Sequence, residues 1–315
     1  AWPTDPCLAS AGRPHPVSQA HAKHALHGIG FAVLATACFA TLDTTTRHIS
    51  ASLSVLVALW FRYAIQALIT TAVVWPGRGR SVLLTQHPRF QLARGLLLFA
   101  CSILAFYSLK YMPVGEFTSI ALLAPLVITL LAAWMLKEKI RPLRWLLVAG
   151  GFLGTLVIIR PGSHHFDWTV ILPLMLVATN AGFQILTSKM TQTEDPITMH
   201  FYTGWIGTIL SSLILPFVWE MPHDWTVWLQ LLLMGVLASI GHFLLILAYG
   251  RAPAATLTPY MYAQIGFAVM GGWLVFDHLP DQWTIAGMGT VALCGALGAW
   301  LTVRETRIAI QPPES

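Results

Sequence analysis

The sequence predicts an all-α integral membrane protein of ten transmembrane helices, arranged as two five-helix repeats of inverted topology. Three observations lead there. Of the 315 residues, 56% are hydrophobic and only 10% are charged, with a mean hydropathy of +0.67; soluble domains carry about 25% charged residues. Apolar runs recur along the chain, each long enough to cross ~30 Å of hydrocarbon at ~1.5 Å per residue. The two halves also carry matching segments at an offset of 140 residues.

Residues 1–27 hold Pro3, Pro6, Pro14, Pro16 and four His, without the apolar core of a secretory signal, and read as a disordered cytoplasmic tail. His21, His24 and His27 recur every three residues, but without an ordered scaffold they make a weak ligand set, and no metal site is expected. Apolar spans follow at 28–46, 53–74, 91–111, 115–136, 143–160, 168–188, 196–219, 226–249, 254–276 and 284–303. They are continuously apolar rather than alternating, which disfavours barrel strands. The gaps are mostly short, so consecutive helices are antiparallel neighbours. Residues 28–160 and 168–303 then form the two repeats, and 304–315 a cytoplasmic tail.

Charge sets the orientation. With a cytoplasmic N-terminus, 14 basic residues fall inside, among them Arg78, Arg80, Arg94, Lys137, Lys139, Lys189 and Arg304. Only Arg47, Lys110 and Arg160 fall outside, and Arg62 lies within a span. The asymmetry places both termini in the cytoplasm. The net charge of +5 has no basic run behind it, so nucleic acid is not a partner. Cys38, Cys101 and Cys294 sit in apolar runs without CxxC spacing and read as buried small residues.

The repeat is visible in Ser108-Leu109-Lys110-Tyr111-Met112-Pro113 against Ala248-Tyr249-Gly250-Arg251-Ala252-Pro253. Each half also closes with a glycine-rich helix, around Gly150–Gly154 and Gly287–Gly298. Five is odd, so two such repeats lie in the membrane with opposite topology, a common transporter device. The run from Phe106 to Glu116, then Leu123-Ala124-Pro125, Leu136-Lys137-Glu138-Lys139, Arg160-Pro161-Gly162 and Leu59-Trp60-Phe61-Arg62-Tyr63 resembles the EamA-type repeat of the drug/metabolite transporter superfamily. The resemblance covers about residues 28–303. It implies a 5+5 inverted repeat in a bacterial inner membrane that carries small metabolites. The first half looks closest to bacterial members associated with riboflavin or similar metabolites. One departure is Phe276-Asp277-His278, which stands where the first half has Leu136-Lys137-Glu138.

Ionisable groups inside spans are costly, at ~2.5–3.5 kcal/mol or more at a helix centre, and so mark sites. Asp43 and Arg62 both fall in the outer half of adjacent spans, either as a structural ion pair or as a gate and substrate contact. Glu116 opens span four near Lys110, as a solvated pair or a coupling carboxylate. Asn180 and Gln184 are four apart on span six, and Tyr260 and Gln264 repeat that spacing on span nine. His200 and His242 add polar groups at membrane depth. With Tyr63 and Tyr107, the substrate-contact candidates are Asp43, Arg62, Tyr63, Tyr107, Asn180, Gln184, His242, Tyr260 and Gln264. The gating or coupling candidates are Asp43, Glu116 and His200. Pro125 and Pro259 fall within spans four and nine as kinks, and Gly150xxxGly154 suits close packing within the bundle or in a homodimer.

The leading reading is a secondary transporter for a small molecule, resident in the bilayer, with a coupling proton or ion and no cofactor. The rivals are a channel, which lacks rings of like charge or a filter motif, and an integral membrane enzyme. The enzyme reading finds no HExxH, GxSxG or metal-holding acidic cluster to support it.

Overall fold

A continuously apolar segment in lipid has one way to satisfy its own backbone, which is the helix. The computed structural model describes residues 16–124, 126–128, 131, 142–160, 167–222, 224–252, 257 and 260–310, with no strand among them. The α-helices are α1 Pro16–Ile49, α2 Val55–Arg78, α3 Pro88–Tyr111, α4 Val114–Ala121 and α5 Pro142–Ile159 in the first half. In the second half they are α6 Ile171–Met190, α7 Pro196–Val218, α8 Trp225–Tyr249, α9 Ala263–Phe276 and α10 Gln282–Ile310. Among the described residues, six segments are long and apolar enough to cross a membrane: Leu26–Ile49, Val55–Leu83, Pro88–Tyr111, Trp168–Met190, Pro196–Val218 and Trp225–Tyr249. Large apolar side chains such as Leu68, Val73, Leu213 and Phe217 stand exposed on the outside of the bundle, as a lipid-facing surface requires.

Helix α1 starts earlier than the sequence reading placed it. Pro16 occupies its first position, where the missing N–H costs nothing, and no breaker follows before Gly28. The same helix tolerates Thr41, Thr44, Thr45 and Thr46 because each hydroxyl donates to the carbonyl four residues back, at 2.8–2.9 Å. The kink candidates Pro125 and Pro259, and the Leu136–Lys139 motif, lie outside the described residues.

Packing runs across the two halves rather than within them. The most extensive helix contacts are α1 with α8, α5 with α10, α2 with α7 and α3 with α6. The next layer repeats the rule: α1 with α9 and α4 with α6, α2 with α8 and α3 with α7, and α4 with α9. Each of these pairings has its exchanged counterpart, while the smaller contact of α4 with α10 is not matched by a comparable one of α9 with α5 among the described residues. Close approach is built in where the last helices cross. A Cβ on Gly154 would lie 2.9 Å from the Gly287 carbonyl oxygen, so the two backbones meet directly. The Gly150xxxGly154 face is therefore spent inside the bundle.

Helices α4 and α9 meet at their broken ends. Leu122 and Leu123 form a turn, and Leu126 N–H donates to the Leu123 carbonyl at 3.0 Å. Residue 125 is proline and has no N–H to offer. The Leu122 carbonyl instead accepts from the Tyr262 hydroxyl at 3.1 Å. These two residues are 140 apart, the offset of the repeat.

The connectors are fastened across the halves as well. Gly79, at φ +54°, ends α2 in a conformation that other residues adopt with strain. The chain then turns so that Glu194, between α6 and α7, accepts from Thr85 Oγ1 at 2.8 Å and from the backbone N–H of Gln86 and His87 at 2.9 Å. Asp195 caps α7 through Thr198 N–H and pairs with Arg78 at 2.7 Å. Burial pushes the Glu194 carboxyl up, but the bonds from Thr85, His87 and Gln86 outweigh it and hold the group below its ordinary value. A depressed carboxyl contributes stability above the ordinary carboxylate range and loses it as pH falls through that range. Glu194→Gln should therefore lower the stability of the detergent-solubilised protein near neutral pH by about 2 kcal/mol. Thermal unfolding against pH should find the difference from the parent shrinking between about pH 6 and about pH 3.

Candidate functional site

At the centre of the cross-half packing lies a cavity of about 170 Å³. Helices α1 to α4 supply one side and α6, α8 and α9 the other. Six of the nine substrate-contact candidates line it: Asp43, Arg62, Asn180, Gln184, His242 and Gln264. Helical spacing explains why they converge. Each sits on the stripe of its helix that faces the opposite half, among residues too apolar for the sequence to single out.

The polar groups are individually positioned. Gln264 Nε2 donates to Asp43 Oδ2 at 3.3 Å across α1 and α9. Tyr249 donates to Gln184 Oε1 at 3.1 Å, and Gln184 Nε2 donates to Asn180 Oδ1 at 3.3 Å, which leaves the Asn180 amide N–H groups for the cavity. His242 Nδ1 lies 2.9 Å from the Ala238 carbonyl. As the Nδ1–H tautomer it donates there and keeps Nε2 as an acceptor. Phe39 packs against the same ring edge-on, centroids 4.9 Å apart. With Phe39, the rings of Phe106, Phe117 and Phe183 make the apolar walls.

Arg62 is 3% exposed. Its Nη1 donates to Ser102 Oγ at 3.0 Å, and its guanidinium carbon lies 4.6 Å from the centroid of the Tyr63 ring. Its Nε has no partner, and neither has Thr118 Oγ1 on α4. Asp43 and Arg62 share the cavity, but no ion pair joins them. The structural pair that the sequence left open is not formed, because Ser102 and the Tyr63 ring hold Arg62 on the α2–α3 side while Gln264 holds Asp43 on the α9 side.

Three candidates sit elsewhere. Tyr63 lies behind Arg62, its hydroxyl 2.7 Å from Ser102 Oγ, and acts as support. Tyr107 and Tyr260 do not line the cavity, and Tyr260 is exposed. The gating candidates also separate. Glu116 lines a second, larger cavity of about 440 Å³ on another face of α4, among Tyr111, Ile159, Arg160 and Asp281. Its electrostatic neighbours are Arg160, Asp281 and Arg47, not Lys110. Arg160 bonds the Asp281 carboxylate and Thr284 Oγ1, and with the Thr284 N–H it holds Asp281 far below the ordinary carboxylate range. His200 is buried away from both cavities, with Nε2 3.3 Å from Ser239 Oγ.

Sequence reasoning missed Ser102 and Thr118, hydroxyls in apolar runs that carry no signal. It also missed Arg94, counted as a flanking charge but 1% exposed in the structure. The pair Gln91-x-x-Arg94, two polar residues on one helical face, was the available clue.

A helical bundle with a buried, two-sided polar cavity defines the class, a membrane protein that handles a small solute. The chain belongs to the EamA-like transporter family, whose model matches residues 26–160 and again 168–303, within the drug/metabolite transporter superfamily. It is 29% identical to a riboflavin transporter of Vibrio cholerae, over 90% of this chain and 97% of that protein. It is 27% identical to an S-adenosylmethionine uptake transporter of Rickettsia conorii, over 83% of this chain and 88% of that protein. A pseudopaline exporter of Pseudomonas aeruginosa is 27% identical over 82% of this chain and 91% of its own length. One solved crystal structure shares the fold at 19% identity, with a TM-score of 0.63 over 90% of this chain and 99% of that one.

Asp43 and Arg62 are held separately and act on each other only through space. In a double-mutant cycle of Asp43→Asn and Arg62→Gln read by thermal unfolding, their coupling should therefore stay below about 1.5 kcal/mol. A coupling well above that would restore the direct pair.

Proposed function

We propose that the chain is a secondary transporter that moves a small metabolite across the bacterial inner membrane by alternating access between two inverted five-helix repeats. The observation that carries this reading is the central cavity. It keeps an acid and a base at membrane depth without pairing them, and both halves contribute its walls. Such an arrangement is expensive unless a solute uses it. The exchanged helix pairings and the Leu122–Tyr262 contact between positions one repeat apart support a two-fold relation of the halves. In this reading each half contributes five spans, and the two sets have opposed topology. The basic asymmetry supports cytoplasmic termini.

The same cavity describes its cargo. Phenylalanine faces suit a flat or partly aromatic metabolite. Asn180 N–H and Arg62 supply donors; His242 Nε2, Asp43 and Thr118 supply acceptors. Gln264 positions Asp43, the group on which a coupled proton would be exchanged. We assign the role of an outer gate to Glu116, which lines the larger cavity beside Arg160 and Asp281, and that of orienting Arg62 to Tyr63. The relatives are named for riboflavin, S-adenosylmethionine and pseudopaline. All three names supply solutes to try.

Counterflow in proteoliposomes tests the reading. Preloading with unlabelled riboflavin or S-adenosylmethionine should accelerate entry of the labelled form of whichever is carried. Asp43→Asn and Arg62→Gln should each reduce that exchange about tenfold or more while leaving folded yield intact, since each removes a buried charged contact. Entry without trans-stimulation would indicate a channel, and chemical conversion of the solute an enzyme.

A further inference from the structure

Below the central cavity, towards the Glu194 end of the bundle, lies a second group of buried polar side chains. On α2, Arg62 is followed at one-turn intervals by Gln66 and Thr70, which are 0% and 6% exposed. On α3, Ser102 is followed two turns down by Arg94 and then Gln91, each 1% exposed. Arg94 Nε donates to Thr187 Oγ1 at 2.9 Å, and its Nη1 to the Met199 carbonyl at 3.0 Å and Thr203 Oγ1 at 2.6 Å. All three acceptors are neutral. Among the described residues no carboxylate contacts either Arg62 or Arg94.

Around Arg94 the hydrogen-bond account does not close. Both side-chain polar atoms of Gln66, the side-chain Oε1 of Gln91 and His200 Nδ1 are buried without a partner. Each such group costs about 1–3 kcal/mol in a native protein, and packed apolar residues would be cheaper. A structural role for a buried guanidinium would also call for a counter-ion. A route that fills with water and solute in another state accounts for both features.

The ring of Phe183 touches both regions. Phe183 lines the central cavity, and the Arg94 guanidinium carbon lies 5.1 Å from the centroid of that ring. His242 bridges the two levels, within electrostatic reach of Arg62, His200 and Arg94.

We propose that Arg94 is a second anion-binding station on the transport route, closed off by Phe183 in this state, to which a negatively charged carboxylate or phosphate group of the substrate passes from Arg62. The proposal rests on the alternating-access reading and deepens it. The cargo is an organic anion or carries an anionic group, and the seam of Gln66, Gln91, Arg94 and His200 is the shut half of its path.

The test uses the full-length chain with its native cysteines replaced, bearing Gln66→Cys or Gln91→Cys, in membrane vesicles of each orientation. The probes are anionic 2-sulfonatoethyl and cationic 2-(trimethylammonium)ethyl methanethiosulfonate, with rates normalised to the exposed Ser81→Cys. Both seam positions should react from the Glu194 side, with the sulfonate favoured about tenfold or more by the buried positive charge. Arg94→Lys should keep that preference and Arg94→Gln should abolish it. Should Arg94→Gln fail to fold, the preference in the chain that keeps Arg94 decides. Silence of both positions, or equal normalised rates, would overturn the station. Asn180→Cys, in the central cavity, separates the two claims. If it reacts from both sides while the seam stays silent, alternating access stands and the station falls. If it reacts from one side only, the transport reading itself fails.

Discussion

Neither half of this chain closes into a bundle by itself, and the rest of the structure depends on that constraint. The principal partner of α1 is α8, of α2 is α7, of α3 is α6 and of α5 is α10, each in the other half. Lipid offers no hydrophobic force to drive helices together, so association rests on close packing and on hydrogen bonds between helices. Both are concentrated on the cross-half faces. Gly154 meets Gly287 backbone to backbone, and the Tyr262 hydroxyl completes the Leu122 carbonyl that a helix break sets free.

The constraint also decides where polarity can go. A side chain on a cross-half face is hidden from lipid by the pairing of the halves, so that is where charge is sheltered. Asp43 on α1 is met by Gln264 from α9, and Arg62 on α2 by Ser102 from α3. The two charges are each supported and yet not joined to one another. At the connectors the logic is different. Glu194 Oε1 accepts from Thr85, Gln86 and His87, and Arg160 donates to Asp281 and Thr284, so these contacts fasten the connectors across the halves.

Much of this was legible in the sequence because it depends on period and composition. Apolar runs of spanning length gave helices, the 140-residue offset gave the repeat, and rare polar residues inside spans gave six of the cavity's lining groups. Three kinds of information were not legible. Aromatic candidates could not be sorted, since Tyr63, Tyr107 and Tyr260 look alike in sequence while only geometry places Tyr63 behind Arg62 and leaves Tyr260 exposed. Pairing could not be read either: Asp43 and Arg62 share a depth, but the side chains holding each one come from helices distant in sequence. Arg94 was misread because a charge near a span's end is normally a flanking charge. Its burial follows from α6 and α7 closing over it with the neutral acceptors Thr187, Met199 and Thr203.

The central claim is that the two halves move against each other around the cavity, opening one end as the other shuts. Pulsed electron-spin distance measurements in nanodiscs address it directly, with one label pair at Ser52 and Met221 and another at Ser81 and Thr193, at opposite ends of the bundle. On adding the solute that drives counterflow, the account predicts opposite changes, one pair drawing closer as the other separates. Distances that stay fixed, or that change together in the same direction, would contradict it.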